Sequence, residues 1–276
     1  MLKRLIVNAD DFGVSAEVNQ GILECFDEGI VTSTSLLPNG PVFGQAVEAI
    51  RHSNIPAGIH FILTHGEPVT PADQVPTLVD RRGYFWNKWH FTRRLYEKKI
   101  RAREVLTELY AQMHKCIYHG LDFDHFDSHH HVHSLPGVSK YFSQLAAEFG
   151  LTACRKIRHT GYFMKPLKSH FIQNTIAVLD SSTHDHQFHS PDQFFGFNLM
   201  ANEDKHATLH HIIDHIRPGV TELMCHPGYA STGNIGRYNT RRFDEKNALC
   251  SQDIKTHLYN RNVELISFSD FNAKQN

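Results

Sequence analysis

Leu5-Ile6-Val7-Asn8-Ala9-Asp10-Asp11-Phe12-Gly13 is the stretch on which the fold turns. Leu5-Ile6-Val7 reads as a buried strand, and it ends on two adjacent carboxylates. Ser15 then supplies an N-cap for a helix through about Phe26, with Val18, Ile22 and Phe26 on one face and Gly29 as the stop. The same strand-then-helix order recurs down the chain. Strands are expected over 31–37, 57–63, 121–128, 220–225 and 263–268, and helices over 42–52, 137–149, 202–216 and 241–261. A helical stretch over 88–119 is expected to break near Ile100. This alternation predicts an α/β fold with parallel strands and helical crossovers. An open doubly wound sheet and a closed or partly closed barrel both fit it. The segment 64–87, with Gly66, Pro68, Pro71, Pro76 and Gly83, reads as a long irregular loop. Residues 155–200 have weak periodicity and give no clear element.

Composition narrows the function. The 276 residues suit a single domain, 1–276, and 41% hydrophobic residues allow a full core without staples. A net charge of -1 argues against nucleic acid or an anionic membrane as partner, since either needs a concentrated basic face. The five cysteines are scattered without C-x-x-C spacing, which points to reduced thiols. No long apolar segment or signal-type N-terminus is present, so a soluble, cytoplasmic protein is expected. The 22 histidines are unusual enough to ask where they cluster.

They cluster at strand ends. Asp10-Asp11 closes the first strand and His60 lies in the third. Asp127-Ser128-His129-His130-His131-Val132-His133 follows the fourth, and His226-Pro227-Gly228 follows the penultimate one. Each has a bland reading: a turn, a core histidine, a solvated loop, a strand terminus. Four at one edge are harder to dismiss, because the C-terminal edge of parallel strands is where sites are built. A carboxylate with two imidazoles makes a three-ligand set with positions left for water and substrate. A second carboxylate can take the water proton, and a further histidine can protonate the leaving group. That combination describes a metal-assisted hydrolase.

At these residues the chain resembles the YdjC-like carbohydrate deacetylases, including chitooligosaccharide deacetylases. The matching runs are Val7 to Gly13, Gly29 to Ser35, Gly58 to Phe61 with Leu63, Thr64, Gly66 and Pro68, His125 to His133, and Glu222 to Pro227. The resemblance implies a distorted (β/α) barrel, removal of an N-acetyl group from a sugar, a divalent metal usually given as magnesium, and a homodimer. It implies Asp11, His60 and His129 as metal ligands, Asp10 as base and His226 as acid. His129 and His133 have the H-x-x-x-H spacing of the wider deacetylases, so His133 rivals His60 as ligand. Asp127 is a candidate to orient a ligand histidine. Imidazole ligands favour zinc on chemical grounds, whereas the resemblance favours magnesium. Trp86 and Trp89 are candidates to stack on sugar faces, with packing in the loop as the alternative. The rival functions are a metal phosphoesterase, which usually wants a second metal and more carboxylates, and a sugar- or metal-binding regulator without turnover.

Overall fold

The computed structural model describes residues 2–157, 188–230 and 239–273. Most of the unreadable stretch 155–200 therefore lies outside the described residues. Among those described, eight parallel strands form one curled sheet, β1 (Lys3–Phe12), β2 (Ser33–Leu36), β3 (Ala57–Phe61), β4 (His125–Ser128), β5 (Ala153–Cys154), β6 (Gln193–Phe195), β7 (Gly219–Cys225) and β8 (Val263–Leu265). The order is β5-β4-β3-β2-β1-β7-β6, with β8 on the first residues of β1. A parallel bridge from Ala153 to His189, just ahead of β6, carries the curl from one end of that path towards the other. The result is a distorted (β/α) barrel, which settles the choice between barrel and open sheet.

β1 is central because it is buried from Leu5 onward, so it can pair on both edges. It pairs β7 from Lys3 to Ala9 and β2 from Asn8 to Phe12, and its register with β2 slips between Ala9 and Phe12. That irregularity falls on the two aspartates, where Asp11 takes a left-handed φ of 69°. Asp is among the few side chains that tolerate such a backbone.

The helices cover the outside. Helix α1 (Ala16–Asp27) starts at Ser15, whose Oγ accepts the Val18 N–H at 3.2 Å. Helices α2 (Phe43–Ser53), α3 (Lys88–Tyr96), α4 (Ala102–Tyr118) and α5 (Ser139–Glu148) follow, and the break expected near Ile100 is the gap between α3 and α4. Helix α4 pins the long loop: Glu108 accepts the Val69 and Thr70 N–H groups and Glu104 accepts that of Thr77. Helix α6 (Phe197–Ala201) falls just ahead of the helix expected over 202–216, and α7 (Lys205–Asp214) lies inside that expected helix.

The expected single helix 241–261 is instead two, α8 (Arg242–Leu249) and α9 (Gln252–Asn260). Ser251 adopts an extended backbone between them, and its Oγ accepts the Asp253 N–H at 3.2 Å. A serine that can cap a new helix competes with continuing the old one. The last strand is also shorter than expected, ending at Leu265, and α10 (Phe268–Ala273) begins where the strand was expected to finish.

Candidate active site

β1, β3, β4, β5 and β7 all deliver polar side chains to their C-terminal ends. β1 brings Asp10 and Asp11, β3 brings His60, and β4 brings Asp127, which is paired in register with His60. His129 opens the turn after β4, where His130 and His131 both have positive φ, 58° and 57°. Two consecutive left-handed residues reverse the chain abruptly, leaving His129 partly exposed at the lip while His131 and His133 turn inward. His226 follows β7, and its loop is held against α1: a Cβ on Gly21 would lie 2.5 Å from Gly228 Cα. Any larger residue at position 21 would push the His226 loop off the helix.

Asp11, His60 and His129 come together, each offering an atom within 4.8 Å of the others. Asp11 Oδ1 lies 3.1 Å from His129 Nδ1 and 3.8 Å from His60 Nε2. This buried oxygen accepts no hydrogen bond, which is the state expected of an atom reserved for a cation. The other ring nitrogen of His60, Nδ1, is 2.6 Å from Asp127 Oδ1. A carboxylate behind a ligand histidine fixes its orientation and leaves Nε2 for the metal. The donor set fits a divalent ion.

A second trio, Asp10, His60 and Asp127, is equally compact. Its carboxylates already hold a cation. Arg155, fully buried, places Nη1 and Nη2 2.7 and 2.6 Å from the two oxygens of Asp10. Nη1 is also 2.7 Å from Asp127 Oδ2, and Nε is 2.7 Å from Glu222 Oε1. Asn8 Nδ2 donates to Asp10 Oδ1 at 3.0 Å and to Ser35 Oγ at 2.8 Å, and Ser35 Oγ donates to Asp127 at 3.2 Å. The first trio is therefore the better metal site.

The electrostatics follow from burial and neighbours. Burial alone would raise Asp11, yet the Arg242 guanidinium, 2.6 Å from Oδ2, and His129 outweigh it and hold the carboxyl well below its usual range. Burial opposes charge on His60, but Asp127 and Asp10 lift it to about 9. Burial pushes His226 down to about 4, against the pull of Asp11 and Asp10. Glu222 is raised to about 7 by burial despite Arg155. Burial likewise raises Glu245 to about 7, and its Oε2 accepts the His226 N–H at 2.6 Å.

The remaining expected residues divide. His226 Nε2 is 4.0 Å from Asp10 Oδ2, so the two sit face to face. His133 is not brought into the metal cluster: Nδ1 is 2.6 Å from Ser128 Oγ and Nε2 is 3.2 Å from the Arg155 carbonyl. Trp86 is half-buried in the loop, donating its indole N–H to the Thr77 carbonyl and lying under Arg94. Trp89 is 70% exposed. Its neighbour Lys88 is close enough to His130 to oppose charge on that ring, as His129 also does, which places the start of α3 at the rim.

Sequence reasoning missed Arg155, Arg242, Glu245 and the rim residue His65, whose ring lies 5.8 Å from that of His129. Arg155 immediately follows β5, the same edge position as the expected residues. Reading Leu151 to Cys154 as a strand would have found it. Arg242 comes from the start of α8 and carries no strand-end signal.

The family described as YdjC-like protein matches residues 4–260, and the chain belongs to it. A carbohydrate deacetylase of Geobacillus stearothermophilus is 34% identical, with 98% of this chain and 99% of that protein covered. One from Enterococcus faecalis is 32% identical over 96% of this chain and 97% of the relative. A solved structure from Enterococcus faecalis, nominally a cellobiose-phosphate cleavage protein, superposes with a TM-score of 0.79 at 30% identity, covering 98% and 99% of the two chains.

Proposed function

We propose that this protein is a metal-dependent carbohydrate deacetylase that removes the N-acetyl group from an amino sugar or short oligosaccharide. One observation carries the reading: a three-residue ligand set, Asp11, His60 and His129, lies beside the facing pair Asp10 and His226 at one barrel end. Its relatives of similar length are named carbohydrate deacetylases. Among the described residues no helix is long and apolar enough to cross a membrane. The chain works as a cytoplasmic homodimer, in keeping with the family resemblance.

Asp11, His60 and His129 would hold the ion, which would polarise the acetyl carbonyl and acidify water. Magnesium is the ion of the resemblance; two imidazoles also suit zinc. Asp10 accepts a proton from water as its oxygen attacks the acetyl carbon. His226 enters the cycle neutral, because burial keeps its pKa near 4. His226 Nε2 lies 4.0 Å from Asp10 Oδ2 in the resting geometry, so the proton passes from Asp10 once the two close to hydrogen-bond distance or through one intervening water. So charged, His226 donates it to the departing amine as the C–N bond breaks, and acetate and the free amino sugar leave. Arg155 keeps Asp10 aimed throughout, and the Glu245 carboxylate fixes the His226 backbone.

The test is acetate release from N-acetylated mono- and disaccharides before and after chelation. Release that disappears with chelator and returns with magnesium or zinc is the expected result. No release from any acetylated sugar, in protein that demonstrably carries metal, removes the proposal.

Trp89 is the tryptophan available to a sugar face. Trp89→Ala is expected to raise KM up to about tenfold, the upper range for an aromatic contact of about 0.5–1.5 kcal/mol. Because the side chain is exposed, Tm should not move. An unchanged KM removes Trp89 from the binding surface.

A further inference from the structure

We propose that Cys25 and Cys250 form a thiol-oxidation site, which closes to an intramolecular disulfide under a peroxide-class oxidant. The sulfurs lie 3.5 Å apart, although 225 positions separate them in sequence. Cys25 is on α1 and Cys250 caps the end of α8. A disulfide needs its sulfurs about 2.0 Å apart, so closure asks for a shift of about 1.5 Å.

The two thiols differ in ways that give each a role. Cys250 is half-buried and within reach of solvent, whereas Cys25 is fully buried. Lys246, four residues before Cys250, places its ammonium 2.8 Å from Glu24 at the same α1–α8 seam. The hydrogen bond with Cys25 and the charge of Lys246 bring the Cys250 thiol down to about 7, while Cys25 is pushed up by that contact and by burial. Low pKa with solvent access is the combination that makes a thiol react with oxidants. The other three cysteines, Cys116, Cys154 and Cys225, are buried in the core.

The chemistry balances in two steps. The Cys250 thiolate attacks hydrogen peroxide, forming an S–O bond as the O–O bond breaks, and the departing hydroxide takes a proton to become water. Cys25 sulfur then attacks the sulfenic sulfur of Cys250. An S–S bond forms, the S–O bond breaks, and the hydroxide leaves with the Cys25 proton as a second water. Two thiols are oxidised and one peroxide is reduced. The crosslink ties α1, which follows directly on Asp10-Asp11, to α8, which carries Arg242 and Glu245. It therefore braces two elements that hold the site.

The test treats the folded protein with limiting hydrogen peroxide, blocks remaining thiols, and maps peptides without reduction. The expected result is a Cys25–Cys250-linked peptide pair, loss of two of the five free thiols, recovery with dithiothreitol, and a Tm raised by several degrees. Cys250→Ser should give no linked pair and keep all its thiols at the same dose. In Cys25→Ser, Cys250 should stop at the sulfenic acid and be trapped by dimedone. Links between other cysteines, links between chains, or five thiols surviving in wild type would overturn the proposal.

Discussion

Asp10→Asn is expected to lower kcat by about 10²–10⁴-fold, the usual contribution of a positioned general base, while the protein still binds its metal. Asparagine keeps the size of the side chain and one oxygen, so the acceptors offered to Arg155 fall from two to one. Arg155 retains Asp127 and Glu222, each at 2.7 Å, so the fold should survive. What is lost is a group able to take a proton, because an amide is not a base near neutral pH. The same variant separates the two candidate ion sites, which share only His60. Binding through Asp11, His60 and His129 leaves calorimetric metal affinity within a fewfold of wild type. Binding through Asp10, His60 and Asp127 would abolish it. Retained turnover would remove Asp10 from the base role, and loss of metal would move the ion to the other trio.

Much of this site was legible because parallel strands impose a direction. Once Leu5 to Val7, Ala57 to Leu63, Leu121 to Ser128 and Val220 to Cys225 are read as strands in the same sense, their C-terminal residues must share one edge. Asp10, Asp11, His60, Asp127, His129 and His226 follow from that single inference. Arg155 escaped because β5 is only two residues long, too short for any periodic pattern. Arg242 escaped for another reason. It reaches Asp11 across a separation of 231 residues, from a helix start rather than a strand end. His133 shows the opposite failure. Its spacing from His129 suits two ligands on a regular helical turn, but the left-handed backbone at His130 and His131 destroys that regularity and sends His133 inward to Ser128. Local spacing is informative only while local backbone is regular. The split of 241–261 into two helices has a similar origin, since Ser251 carries a capping signal that apolar periodicity does not weigh.

Arg155→Met is expected to be the most damaging single substitution at the site, costing about 3–5 kcal/mol in urea denaturation at pH 8. Methionine fills most of the volume, so cavity formation is not the main penalty. The penalty is electrostatic: Asp10, Asp127 and Glu222 would remain buried together without their shared counter-ion. Arg155 and His60 now hold Asp127 below its usual range against the pull of burial. Without Arg155, Asp127 and Glu222 should take up protons in the folded state, with pKa values above those of the unfolded chain. A group whose folded pKa is raised contributes stability at low pH and loses it as pH rises. The gap between wild type and variant should therefore widen from pH 5 to pH 8. Arg155→Lys should recover only part of it, since one ammonium cannot reproduce the two-pronged grip on Asp10 while also reaching Asp127 and Glu222. A variant as stable as wild type at pH 8, or a gap that does not change with pH, would show that Arg155 does not neutralise the carboxylates it touches. Its place beside Asp10 would then need a different explanation from the one given by charge.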